Sequence, residues 1–435
     1  MGNKPIVSFN SFELIQEAFV KNADAFAGRP NTQLKVLRGG IYGIVMTDGE
    51  LWHTHRKFAL HVLKKFGMGK NLMQERVINE VRWMIDEMKE EELKNGENEM
   101  SVHKKIDVAV GSIINLLIFG YAFHEQYLEE FFKIKNFMRD FIKVSGNPLF
   151  RILSADTSGI LQRLPGFKTA YNEGKRLGDE LRTFFNYQIQ ERRQKIDFSQ
   201  DSEPTDYVEA YLREQQKNEK AGEDLEMFSN EQLFGCVFDM WLAAQETTSN
   251  TLSWMVLYMM TNPESQNLLH QELDKIIGSD RIITIEDKMN LPYVNAVVAE
   301  TQRCCNLMPN NVPHRLITDI NFHGYSLKAD TIVVPQISSV LYDETIFPEP
   351  LKFKPERFID ANGKFISKPE LIPFSIGKRA CLGEGLARLE LYLITANLLN
   401  QFELSIIPSK PPNMTPIIGG VKISQPFLTH VKQRF

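Results

Sequence analysis

The chain has 435 residues, 43% of them apolar and 24% charged, and a formal net charge of −5. These values suit a soluble globular enzyme with a large core and exclude nucleic acid as its main partner, which would require a basic surface. Four scattered cysteines, Cys236, Cys304, Cys305 and Cys381, are too few for a disulfide framework and point to a reducing compartment.

The N-terminus, Met1-Gly2-Asn3-Lys4-Pro5, leads straight into Ile6-Val7-Ser8. It carries no apolar run of the roughly 18 residues that a membrane span needs and no signal-peptide core. Ile6 stands where a myristoylation motif needs Ser or Thr. Residues 5 to 8 read as a short strand, and Ser11 as the cap of a helix with Leu14 among its early apolar residues. Residues 22 to 49 read as a glycine-punctuated loop that includes Ala27-Gly28-Arg29-Pro30. A helix from Trp52 through Leu63 stacks Trp52 and Arg56 on one face at i, i+4, the spacing of a cation–π pair. The run Arg56, Lys57, Lys64, Lys65 and Lys70 is basic in a chain that is acidic overall. It predicts a solvated face or, with Lys378 and Arg379, a positive surface suited to an acidic partner.

Apolar residues recur at three and four from 73 to 123 and from 125 to 144, which predicts helices with one buried face. Residues 148 to 167 mix Leu149, Phe150, Ile152, Leu153, Ile160, Leu161 and Leu164 with turn residues. They read as a loop, either tucked onto the core or forming an interface or membrane contact. A long helix follows over 169 to 195, then a charged connection over 197 to 226 with little to bury.

Ser229 and Gln232 form a capping-box pattern that opens a helix running to Thr261, where Asn262-Pro263 stops it. Such a rod, about 50 Å long, crosses the whole molecule. Its middle reads Ala243-Ala244-Gln245-Glu246-Thr247-Thr248. An acid and two hydroxyls in an apolar helix either bond back to the i−4 carbonyls or open the helix locally, admit water and relay protons. Glu300 and Arg303 share a helix face at i, i+3, and Arg357 follows in Pro355-Glu356-Arg357-Phe358. Val312-Pro313-His314-Arg315 precedes a strand over 331 to 335, and residues 414 to 427 read as a hairpin with its tip near Ile418. Phe238, Ala243, Val312 and Ile418 are apolar candidates for a substrate pocket.

The stretch Phe374-Ser375-Ile376-Gly377-Lys378-Arg379-Ala380-Cys381-Leu382-Gly383 organises the rest. It sets a cysteine at the start of the helix that begins at Glu384, where free N–H groups and the helix dipole are expected to lower the thiol pKa. Gly377 and Gly383 let the backbone turn tightly and approach a flat group, and Arg379 offers a cation to a carboxylate. A planar cofactor with carboxylate arms and an iron needing an axial sulfur satisfies all of these features.

The complete pattern F-x-x-G-x-R-x-C-x-G, from Phe374 to Gly383, resembles the haem-binding signature of the cytochrome P-450 superfamily. Trp52 and Arg56 resemble its W-x-x-x-R motif, Ala243 to Thr248 its A-G-x-[DE]-T-T motif with Ala244 in place of the glycine, and Glu300 to Arg303 its E-x-x-R motif. The likeness is greatest to the microsomal branch that oxidises drugs and fatty acids. It implies a mainly α fold with a smaller β-rich region and a long central helix over the haem. It further implies that residues 1–435 form one catalytic domain, N-terminally short, lacking the family's membrane anchor, first helix and first strand.

The resemblance also implies roles. Cys381 is the proximal ligand of haem b. Arg29, Trp52, Arg56, His314 and Arg379 hold its propionates, and Phe374, Gly377 and Gly383 shape the loop beside it. Glu246 and Thr247 deliver protons, and Glu300, Arg303 and Arg357 form a buried network that holds the cysteine loop. The implied reaction inserts one oxygen atom from O2 into a lipophilic substrate, with electrons from NADPH through a cytochrome reductase and with cytochrome b5 as a further donor. The implied place is the cytosolic face of the endoplasmic reticulum, touched through residues 148–167, or a peripheral or cytoplasmic location for a chain without an anchor. Two rival expectations are a haem-thiolate isomerase needing no electrons and a haem-binding but catalytically impaired product.

Overall fold

The computed structural model describes residues 5–30, 39–66, 71–95, 98–156, 159–200, 202–222 and 225–435. In chain order the first elements are β1 (Ile6–Phe9), α1 (Phe12–Gln16), α2 (Ala23–Phe26), α3 (Gly49–Lys65), α4 (Asn71–Asn95), β2 (Glu99–Met100) and α5 (Val102–Ile118). Next come α6 (Leu128–Gly146), α7 (Pro148–Ala155), α8 (Phe167–Lys195), α9 (Tyr207–Ala221), α10 (Asn230–Thr261), α11 (Pro263–Ile276) and α12 (Pro292–Cys305). Strands β3 (His314–Arg315), β4 (Ile320–Phe322), β5 (Tyr325–Leu327) and β6 (Ile332–Pro335) precede α13 (Ile337–Leu341) and α14 (Glu384–Gln401). The chain ends with β7 (Phe402–Ser405), β8 (Ile417–Ile418), β9 (Lys422–Ile423) and β10 (Thr429–Gln433).

Helix α10 is the axis of the larger, helical core. Ser229 accepts the Gln232 N–H at 3.2 Å at its start, and Asn262 closes its end before Pro263. Its 32 residues span about 48 Å, and Cys236, Val237, Val256 and Leu257 are fully buried on different sides, as expected of a helix enclosed by others. It lies against α5, where Gly111 leaves room that the Phe131 ring and Gln245 would deny to a side chain. Gln232 makes only half of the expected capping box: its amide reaches Gly43 instead of returning to Ser229.

The smaller lobe is built on β1, β6 and β3. β1 runs parallel to β6 in the register Ile6↔Ile332, and β3 pairs antiparallel to β6. Its core is aromatic, with Phe9 meeting the edges of Phe19, Phe26 and Phe322 at 5.4–5.6 Å. The hairpin expected over 414–427 is formed by β8 and β9.

Two expectations change. Within 197–226 the chain forms α9, capped by Asp206, which accepts the Glu209 N–H at 2.9 Å. Val208, Tyr211, Leu212 and Gln215 share its buried face at i, i+3, i+4 and i+7, while its charges pair with Arg192 and Arg213. Residues 148–155 are helix α7 and not loop, with Asn147 as cap and Pro148 in the first turn. Phe150 and Leu153 face inward, whereas Leu149, Ile152, Ile160 and Leu164 are exposed, so this segment is both tucked in and outward-facing.

Candidate haem-thiolate site

The cysteine loop is held by its own backbone and by the smaller lobe. The Cys381 N–H donates to Phe374 O at 3.0 Å and the Ala380 N–H to Gly377 O at 3.1 Å. Ser375 adopts φ +62°, and its hydroxyl accepts from Asn311 at 2.7 Å. Gly377 has φ +81°, and a Cβ there would stand 1.9 Å from the Phe19 carbonyl oxygen. That glycine is therefore required by a protein neighbour. Gly383, the residue before α14, has φ −91°, and a Cβ on it would meet no protein atom within 4 Å. Open space, not protein, lies on that side.

Cys381 is accessible although protein crowds it on most sides. The expectation of a lowered thiol pKa fails for the chain alone. Burial pushes the thiol up, outweighing the Gly383 and Glu384 N–H groups and the Arg56 guanidinium that pull it down. A bound metal would supply the missing stabilisation of the thiolate, because coordination and deprotonation are linked.

Beside this loop the structure gathers cations. Arg379 is buried, donates to Ala27 O and Thr47 O at 2.7 Å each, and lies 3.8 Å over the Trp52 ring. Arg56 is farther from that ring, at 6.0 Å, and donates to Ala380 O at 2.7 Å. Arg29 donates to Val45 O at 3.0 Å, Val312 O at 3.1 Å and Pro313 O at 2.9 Å. His314 is buried in β3, with Nδ1 2.8 Å from Phe26 O. That bond puts its proton on Nδ1, so Nε2 donates to a carboxylate only when the ring is charged.

These groups repel one another. Burial and then Arg56 lower the Arg29 guanidinium to about 10, and burial and then Arg29 lower Arg379 to about 9. Burial, followed by Arg29, brings His314 down to about 3. Asp48 offsets part of this charge, and it is shared with Arg315 at 2.6 Å. A cluster of this kind fits a ligand with carboxylate arms, as the accessible sulfur and the space at Gly383 fit a metal-bearing disc.

Of the expected surface cations, Arg379 is buried, and Arg56 is half-buried and turns to the cysteine loop, where it donates to Ala380 O. Lys57, Lys64 and Lys65 remain exposed, Lys378 pairs with Asp24, and Lys70 lies outside the described residues.

In α10 the helix is not opened at the acid and hydroxyl. Thr247 Oγ1 donates to Ala243 O at 2.6 Å, and Ser249, Thr251 and Ser253 repeat the i−4 bond at 2.8 Å. Each hydroxyl saturates a carbonyl that is already helical, so no break results. Ala243, mid-helix, is exposed, and Thr247 is half-buried on the same side. Glu246 turns away and pairs with Lys135 of α6 at 2.8 Å; Lys135 also meets Asp107 of α5 at 2.9 Å. Burial would lower the Lys135 ammonium, but the two carboxylates outweigh it and hold it above its ordinary value.

Of the pocket candidates, Phe238 is 2% exposed and packs edge-on against Phe141 and Phe185, which makes it core. Val312 is half-buried beside Arg29, and Ile418 is 79% exposed on its hairpin. Phe374, half-buried, carries Arg388 over its ring at 5.0 Å. Glu300, Arg303 and Arg357 do come together. Glu300 accepts from Arg303 at 2.7 and 2.8 Å and from Arg357 at 3.1 Å, with Glu300 and Arg303 fully buried. Sequence reasoning missed Lys135 and Asp48, which reach Glu246 and Arg315 from elements distant in sequence.

A family model described as Cytochrome P450 matches residues 1–430. Cytochrome P450 2B9 of Mus musculus is 33% identical over 425 residues, which cover 97% of this chain and 83% of that protein. Cytochrome P450 2U1 of Bos taurus is 31% identical over 439 residues, covering 100% of this chain and 78% of the relative. For cytochrome P450 2E1 of Sus scrofa the identity is 32% over 428 residues, 97% of this chain and 83% of the relative.

Proposed function

The chain belongs to the cytochrome P450 family and is a haem-dependent monooxygenase, and from that premise we propose how its residues divide the work. Residues 1–435 act as one catalytic domain. The observation that carries the reading is the gathering of Arg29, Arg56, Arg379 and His314 beside an accessible Cys381. Cys381 would provide the thiolate ligand to the iron, steadied by the Gly383 and Glu384 N–H groups and by Arg56. Arg29, Arg379, Arg56, Trp52 and His314 would hold the two carboxylate arms, His314 through an Nε2 proton taken up with the ligand. Haem supplies the iron at which O2 is reduced and one oxygen atom is passed to the substrate.

Protons come through the protein. Lys135, with 22% of its side chain exposed, joins solvent to the Glu246 carboxylate. Glu246 carries a proton inward once it leaves Lys135, and Thr247 Oγ1 positions it on the cavity side. Ala243, Val312 and Ile418 offer apolar surface to a small lipophilic substrate. The xenobiotic or fatty-acid class is part of this proposal.

The electron donor we propose is an NADPH-dependent cytochrome reductase, with cytochrome b5 as a second donor. Lys57, Lys64, Lys65 and Lys378 form the basic face that would meet its acidic surface. Among the described residues no helix is long and apolar enough to cross a membrane. Exposed Leu149, Ile152, Ile160 and Leu164 favour contact with the cytosolic face of the endoplasmic reticulum membrane.

The test is reconstitution with reductase, NADPH and isotopically labelled O2 over a panel of fatty acids and xenobiotics. The reading predicts NADPH consumption and a product carrying one labelled oxygen. Rearranged, unlabelled product without NADPH would replace it with an isomerase, and haem binding with no turnover by an impaired protein.

A further inference from the structure

Helix α10 turns Gln232, Gly235 and Asp239, spaced i, i+3 and i+7, toward the backbone of residues 43 to 45. Gln232 accepts the Gly43 N–H at 3.0 Å and donates to Gly43 O at 3.0 Å. Asp239 Oδ2 accepts the N–H groups of Ile44 at 2.7 Å and Val45 at 2.8 Å. Both side chains are at most 3% exposed. Contact this close depends on two missing side chains. A Cβ on Gly235 would stand 2.5 Å from Gly43 N, and one on Gly43, at φ +93°, 2.2 Å from Asp239 Oδ2.

The gripped segment has a second end. Thr47 Oγ1 donates to Gly43 O at 2.8 Å and closes the turn. Val45 O then accepts from Arg29 Nε at 3.0 Å, and Thr47 O from Arg379 Nη2 at 2.7 Å. Each of these arginines is therefore aimed in part by a carbonyl whose own position is fixed from α10. Both guanidinium groups are buried, and Arg56 repels Arg29 as Arg29 repels Arg379, so each depends on acceptors such as these carbonyls to hold its place.

We infer that Gln232 and Asp239 are positioning residues for the haem carboxylates, acting through residues 43–47 on Arg29 and Arg379. The inference rests on the proposed anchoring role of those two arginines. Removing the Asp239 carboxylate takes the acceptor from two buried N–H groups, frees the strap and loosens both guanidinium groups.

The experiment follows haem transfer from the holoenzyme to excess apomyoglobin for wild type, Asp239→Ala, Arg379→Ala and the double variant. Acting in series, each single change accelerates release by about tenfold or more, and the double variant releases no faster than the faster single one. A multiplicative double variant overturns the inference, because it marks Asp239 as merely stabilising the fold. An unchanged Asp239→Ala beside a fast Arg379→Ala overturns the inference alone, whereas an unchanged Arg379→Ala overturns the anchoring role beneath it. If Asp239→Ala gives no holoenzyme, Asp239→Asn enters the same cycle. It keeps an acceptor oxygen without the charge, and its smaller acceleration must shrink in the Arg379→Ala background and vanish when Arg29→Ala is added as well.

Discussion

Glu300→Ala removes the carboxylate that joins α12 to the segment before the cysteine loop. Arg303, with no exposed surface, would lose bonds of 2.7 and 2.8 Å and keep only Leu341 O at 2.9 Å, Lys352 O at 3.3 Å and the Cys304 sulfur. Arg357 Nε and the Lys354 N–H, at 3.1 and 2.8 Å, lose the same acceptor. Stranding one partner of a buried pair costs about 3–5 kcal/mol. An unfolding entropy of about 2.1 cal/mol/K per residue gives ~0.9 kcal/mol/K for 435 residues. The expected fall in Tm is therefore about 3–6 °C, read by differential scanning calorimetry of the haem-loaded protein. Glu180→Ala, which breaks the exposed Arg176 pair, should move Tm by less than about 1 °C. Adding Arg303→Met to Glu300→Ala should recover part of the loss, since the stranded charge goes with it. Strict additivity of the two changes, or a Glu300→Ala shift no larger than that of Glu180→Ala, would refute the reasoning.

Gly377→Ala, whose Cβ meets the Phe19 carbonyl at 1.9 Å, should displace the cysteine loop and lower Tm even without haem. Gly383→Ala, whose Cβ meets no protein atom within 4 Å, should leave that Tm unchanged and weaken haem uptake in a titration. Glu390 is fully buried, and burial pushes its carboxyl up to about 8. Between its unfolded value near 4.5 and about 8 the folded state holds the extra proton, so this group costs stability as pH rises. Glu390→Gln should therefore gain on wild type by up to ~1.4 kcal/mol per pH unit across that window in denaturant titrations, and a flat difference would be the contrary result. Lys135→Met should free Glu246 and change the pH dependence of turnover while leaving the haem spectrum unaltered.

Much of this was legible because local chemistry and global fold agree. Ser229 and Asn262-Pro263 bound the central helix by capping and by a missing N–H, which need no tertiary context. The cysteine loop carries its glycines and arginine within ten residues. What escaped depended on distant partners. α9 was hidden because Arg192 and Arg213 neutralise its acids, so a charged segment could still bury Tyr211 and Leu212. Gln232 looked like a capping residue, yet its amide is used by Gly43, 189 positions away. The thiol pKa was misjudged because the helix N-terminus was visible in sequence and the burial opposing it was not. Which charges are internal could not be read either: Arg379 and Lys378 are neighbours, one buried and one exposed.

Ligation by Cys381 is tested most directly by the Soret band of the reduced, carbon monoxide-bound protein. Wild type should show the strong red shift that a thiolate opposite the gas imposes, and Cys381→His should show the unshifted band of histidine-ligated haem. A red-shifted band surviving in Cys381→Ala, or an unshifted band in wild type, would contradict the account.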